Sequence, residues 1–156
     1  MFTLENLCKF LVKAKKATYA SGDNSKSIKE SDGSTSLVFT EDNFKYHDNY
    51  FGGEPYGGRE VVFFDDKPVY IMIYYGRVNN NIKDIQKLYS FLQKALSLIP
   101  EDKPFRGPKE FRDNNLEYTN VFEGEIDNFS GQEIIKENGQ EIYKAKYIGG
   151  LVNQRK

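Results

Sequence analysis

The stretch YHDNYFGGEPYGGREVV, residues 46–62, holds the chain's one histidine, His47, with Asp48, Tyr50, Arg59 and Glu60 close by. A carboxylate, an imidazole and a guanidinium among phenols are the residue types of general acid-base work, or of anchoring a polar ligand. Strand alternation places Phe44, Tyr46, Asp48 and Tyr50 on one face. Asp48 is then surrounded by aromatics, where a carboxylate is costly unless paired, and an arginine is the expected partner. Tyr74 and Arg77 follow in YYGRV, and Arg106 in FRGP could reach an anionic ligand. The candidate ligand-binding residues are therefore His47, Asp48, Tyr50, Arg59, Glu60, Tyr74, Arg77 and Arg106. The plainer alternative is a structural ion pair for Asp48 and for Arg106, with His47 on the opposite strand face.

The glycines of the same stretch, Gly52, Gly53, Gly57 and Gly58, raise the question of a phosphate cradle. Such loops lead into a helix N-terminus, whereas this one leads into the strand-like EVVFF. There is no Walker A pattern and no G-x-G-x-x-G. Turns are expected here, and no cofactor.

Composition narrows the chemistry further. One histidine and one cysteine, Cys8, exclude a multi-histidine or thiolate metal site within the chain, so no metal is expected. Cys8 lies beside Leu7 and Leu11 and reads as a small buried hydrophobe. The net charge of −1 draws in neither nucleic acid nor an anionic membrane. Lys9, Lys13 and Lys16 read as a solvated helix face. The opening MFTLENLCKF has neither a basic segment nor a long apolar run, and a cytoplasmic protein is the expectation.

These residues need elements to position them. Leu4, Leu7, Leu11 and Ala14 recur at helical spacing, as do Ile85, Leu88, Leu92 and Ala95. Thr3 and Asn81 are candidate caps. Aromatics make up 15% of the chain, all Tyr and Phe, which favours strands. Asp42-Asn43, Asp65-Asp66, Asn114-Asn115 and Asn138-Gly139 are turn signals.

Residues 44–78 also resemble residues 116–151. Tyr46 aligns with Tyr118, Gly52 with Gly124, Glu60 with Glu133, Tyr74 with Tyr147 and Gly76 with Gly149. The two helical segments align as well. The expected fold is thus α+β: an internal duplication of a helix followed by about four antiparallel strands, related by a pseudo-twofold. It forms a single domain over 1–156 from repeats at about 1–79 and 80–152. The Ser-rich connection within 20–36 is expected to be mobile. Ile71 and Ile73 stand where the second segment has Lys144 and Lys146, and Phe63 where it has Lys136. That apolar face needs a cover, and a homodimer through Phe63, Ile71 and Ile73 is one expectation.

The motifs FLVKAKKATYA, YHDNYFGG, EVVFFDDKPVY, YYGRV, FRGP and YIGGL together resemble an uncharacterised bacterial family of domains of unknown function. Some members of that family follow a Cro-type helix-turn-helix. The resemblance spans nearly the whole chain and implies a partner or sensor domain. It implies no catalytic residues. This chain departs from the family in having Tyr70 where many relatives have Trp, and in its longer 20–36 segment. The functional expectation is a binding or sensor domain holding a small molecule or protein partner. The alternatives are a small enzyme using an acidic and histidine site, or a purely structural homo-oligomer.

Overall fold

Alternating aromatic and polar residues, punctuated by short polar turns, generate long strands joined by tight hairpins. The computed structural model describes residues 1–22 and 26–155. In chain order the elements are α1 (Leu4–Ala17), a 3-10 turn (Tyr19–Ser21), β1 (Ile28–Lys29), β2 (Thr35–Glu41), β3 (Phe44–Gly52), β4 (Tyr56–Phe64), β5 (Lys67–Val78), α2 (Ile85–Leu96), β6 (Glu110–Asp113), β7 (Leu116–Glu125), β8 (Asn128–Glu137) and β9 (Gln140–Leu151). The expected turn residues take up the left-handed backbone that tight hairpins need: φ is 51° at Asp42, 48° and 59° at Asp65 and Asp66, 56° at Asn114 and 50° at Asn138. Thr3 caps α1, its hydroxyl accepting from Asn6 N at 3.1 Å. Asp84, not Asn81, caps α2, its carboxylate accepting from Lys87 N at 3.0 Å.

All nine strands join one antiparallel sheet in the order β1-β2-β3-β4-β5-β9-β8-β7-β6. Central to it is the β5–β9 pairing, which runs from Tyr70 opposite Leu151 to Val78 opposite Tyr143. This corrects the expected α+β duplication. The chain does not form two helix-plus-four-strand copies related by a pseudo-twofold; it forms a single mostly-β sheet carrying two short helices. The likeness between 4–14 and 85–95 reflects the amphipathic spacing that any core-facing helix shows. A sheet ending at β5 would leave a long edge of unpaired backbone N–H and C=O groups, and pairing with β9 removes it.

One sheet face is covered by the helices. Leu7, Phe10, Leu11 and Ala14 of α1 pack with Tyr46, Val62, Tyr70 and Met72, while Leu88, Phe91, Leu92 and Ala95 of α2 pack with Tyr118, Ile135 and Tyr143. Leu4, expected on the apolar stripe, is 47% exposed. The opposite face carries Lys45, His47, Arg59, Arg77 and Lys146, and also exposed Ile73, Tyr75, Val121 and Ile148. Ile73 lies directly across from Ile148, whereas Phe63 and Ile71 are half-buried. Of the 20–36 connection, 23–25 lie outside the described residues; beyond them a short β1–β2 hairpin extends the sheet, Glu30 N donating to Ser34 O. No described helix is long and apolar enough to cross a membrane.

The glycine-rich stretch is a hairpin, as its sequence suggests. Gly52 has φ +79° at the end of β3, and the turn leads into β4, not into a helix. Gly58 serves contact: a Cβ there would lie 2.4 Å from Asn49 O, 2.7 Å from the Tyr50 Cβ and 2.7 Å from the Tyr74 hydroxyl. A Cβ at Gly53 would meet nothing within 4 Å. Gly58→Ala is therefore expected to lower stability by about 1–3 kcal/mol through overpacking, and Gly53→Ala to be near neutral. Urea denaturation of the two variants checks this.

Candidate functional site

Burying a charge is tolerable only with a partner and satisfied hydrogen bonds. On the helix-covered face five charged side chains are buried among the described residues: Lys15, Asp48, Glu60, Arg106 and Glu133. Lys15 projects from α1 towards β4. Its ammonium lies 3.0 Å from Glu60 Oε2 and donates to the carbonyls of Pro104 (2.7 Å) and Phe105 (2.6 Å). The Glu60 contact is an ion pair, and neither Glu60 oxygen has a hydrogen-bond partner. Arg106, the next residue of that same loop, donates through Nε (3.1 Å) and Nη2 (2.6 Å) to Glu133 Oε1 on β8. Glu133 also accepts from the hydroxyls of Tyr118 (2.6 Å) and Tyr143 (3.0 Å).

Asp48 is the fifth. It is 2% exposed, and the Tyr74 hydroxyl donates to its Oδ1 at 2.5 Å. No cation lies within ion-pair distance of it among the described residues. Burial and then the Glu60 charge push its carboxyl up to about 7, against the Tyr74 hydrogen bond, Arg106 and Lys15. Burial and neighbouring carboxylates hold the phenol protons firmly on Tyr19, Tyr46, Tyr70 and Tyr74. The hydroxyls of Tyr19, Tyr46 and Tyr70 are buried without a hydrogen-bond partner.

A cavity of about 220 Å³ opens on Asp48. Tyr19, Tyr50, Tyr56, Tyr74 and Tyr89 wall it with Arg106. The elements that build it are the 3-10 turn after α1, the inner faces of β2, β3, β4 and β5, and the face of α2 carrying Leu92 and Leu96. At its rim Gly52 ends β3 and Gly53 follows it; the next residue, Glu54, accepts from Val78 N at 2.7 Å and from the Tyr89 hydroxyl.

Of the sequence candidates, the structure brings Asp48, Tyr50, Tyr74 and Arg106 to this cavity. Glu60 lies beneath it, paired with Lys15. His47, Arg59 and Arg77 fall on the other sheet face, because each is an odd number of strand positions from an inward residue. There His47 shares a hydrogen bond with Ser36 Oγ at 3.1 Å and Arg77 donates to Asn80 at 3.2 Å. The arginine expected beside Asp48 is replaced by the Tyr74 hydroxyl. The cysteine is half-buried, and burial pushes its thiol up, away from nucleophile chemistry. Lys15 escaped the sequence reading. The signal was present, since Lys15 lies four residues beyond Leu11 and eight beyond Leu7, on the apolar stripe. Tyr19, Tyr56 and Tyr89 were also missed, and no local pattern separates them from core tyrosines. No group of three or more metal-binding side chains occurs among the described residues.

Residues 48–152 match the family model of a domain of unknown function, DUF5680, and the chain belongs to that family. No curated protein and no solved structure matches it.

Two expectations follow from the buried charges. Lys15→Met leaves Glu60 buried without its cation and should cost about 3–5 kcal/mol, while Lys15→Met/Glu60→Gln together should recover much of that loss. A double-mutant cycle in urea measures the coupling. Asp48 has a carboxyl raised to about 7 in the folded chain against an ordinary value of 3.8. The folded state therefore holds a proton that the unfolded state releases between these values, and Asp48 lowers stability progressively as pH rises from about 4 to 7. Asp48→Asn should abolish this component, so the stability difference between variant and wild type should grow in favour of the variant from pH 5 to pH 8.

Proposed function

For this member of DUF5680 we propose a ligand-binding role: the protein encloses a small molecule in the tyrosine-walled cavity over β3–β5. The observation that carries the reading is a cavity lined by a buried carboxyl group and five tyrosines, roofed by α2 and the 3-10 turn. Binding sites are mostly apolar concavities with a few polar groups converging on them. The volume of about 220 Å³ falls below the range of about 300–1,000 Å³ that drug-sized ligands occupy, so the ligand is small. The role proposed is that of a cytoplasmic sensor, in which ligand occupancy is passed to a partner.

An enzyme using Asp48 with His47 is less well supported, since the two residues occupy opposite faces of β3. Glu60 is held against Lys15, which removes the other carboxylate the enzyme reading relied on.

Native mass spectrometry on freshly purified protein tests the proposal. An added small mass that leaves on denaturation is expected. The same spectrum reports whether the chain pairs with a second copy, the expectation attached to the Phe63, Ile71 and Ile73 face. Ligand at one hundred times its Kd should raise Tm by about 5–10 °C. A spectrum without added mass, together with a small-molecule thermal-shift screen without a hit, would overturn the binding role.

A further inference from the structure

We propose that the cavity takes a small organic cation, an amine or quaternary ammonium whose charge rests between Asp48 and the tyrosine rings. This deepens the binding role above and rests on it. The argument begins with charge balance. Among the described residues three carboxyl groups, Asp48, Glu60 and Glu133, are buried with two cations, Lys15 and Arg106. Neither cation is available to Asp48. The Lys15 ammonium is occupied by Glu60, Pro104 O and Phe105 O at 3.0, 2.7 and 2.6 Å. Arg106 directs Nε and Nη2 at Glu133. Each pair is neutral as a unit, and Asp48 is the carboxylate left over.

A buried carboxylate without a counter-ion must take up a proton or a cation. Asp48 meets the cavity, so the cation can come from outside. The walls suit one. Aromatic faces carry negative electrostatic potential and attract ammonium groups, most strongly where water is excluded. Arg106 already demonstrates this, its guanidinium carbon lying 5.5 Å from the Tyr19 ring centre and 5.7 Å from that of Tyr74. An anion would meet Asp48, and the guanidinium it needs is committed to Glu133. A neutral ligand would bring no counter-charge, and Asp48 would keep its proton beside it.

The groups facing Asp48 are Tyr74 from β5, Glu60 from β4, Lys15 from α1, Arg106 from the loop before β6, Tyr19 from the 3-10 turn and Tyr46 from its own strand. The tyrosines keep their protons across the neutral range, and the three charged groups are held in closed pairs, Lys15 with Glu60 and Arg106 with Glu133. Asp48 is thus the group whose proton a bound cation displaces. With its carboxyl at about 7, cation affinity should fall about tenfold from pH 8 to pH 6.

Isothermal titration calorimetry with full-length protein tests this, using choline, its neutral isostere 3,3-dimethyl-1-butanol, benzylamine, benzyl alcohol and benzoate. At least one of the two cations should bind one to one, its neutral counterpart at least tenfold more weakly. Affinity should fall tenfold on going to pH 6, and Asp48→Asn should lose at least tenfold. The wild-type pH profile and the neutral isosteres give the answer even if that variant does not fold. Equal binding of a neutral probe or of benzoate, a flat pH profile, or full affinity in folded Asp48→Asn overturns the cation assignment and leaves the binding role standing. So does a neutral molecule retained in the native mass spectrum with no probe bound. No probe bound, no retained molecule and no hit in the thermal-shift screen overturn both.

Discussion

The requirement that buried charge be neutralised organises this protein. The short loop Pro104–Arg106 is where that requirement is met twice. Its carbonyls receive the Lys15 ammonium from α1, and its own Arg106 reaches Glu133 on β8. One helix, one loop and two strands on either side of the central β5–β9 pair are thereby tied to each other. Phe105 completes the attachment, stacking on Phe129 at 3.9 Å between ring centres. Replacing such pairs with apolar residues of similar size is often neutral for stability. Their effect here is on placement, because each fixes which side chains remain to face the cavity.

The cavity is a consequence of that placement and of the sheet's register. Tyr50, Gly58, Tyr74 and Tyr147 lie side by side across β3, β4, β5 and β9. The missing side chain at Gly58 gives Tyr50 and Tyr74 their room. Tyr56 lies across Gly76 in the same way, a Cβ at that glycine falling 2.7 Å from its ring. The Tyr56 hydroxyl then meets both Tyr143 and Arg106. Large phenols against glycines form a wall that is apolar in its body and polar at its tips. Asp48 enters this wall without a cation of its own, and the chemistry proposed for the cavity comes from that imbalance.

Much of this was legible in the residues, and what was not has a definite cause. Helix periodicity and turn chemistry are local properties, so both helices and the turns at Asp42, Asp65, Asn114 and Asn138 could be read directly. Strand alternation correctly placed Asp48 with Tyr46 on the buried face. The same alternation gave the far face for His47 as the plainer alternative, and carried on to Arg59 and Arg77 it would have put them there too. The likeness between the two chain segments suggested a duplicated α+β unit. Similar local patterns do not decide which edges pair, and the pairing of β5 with β9 made one sheet of all nine strands.

By itself, then, the sequence determined the elements, their turns, the absence of a thiolate or multi-histidine metal site and the inward face of β3. Each of these depends on neighbours within a few positions along the chain. Only the tertiary structure decided that Lys15 meets Glu60, that Arg106 meets Glu133 and that Asp48 meets neither cation. Those partners lie 45, 27 and more than 30 residues apart in the chain. Charge compensation is set by distance in space, and the sheet and the 104–106 loop create those distances.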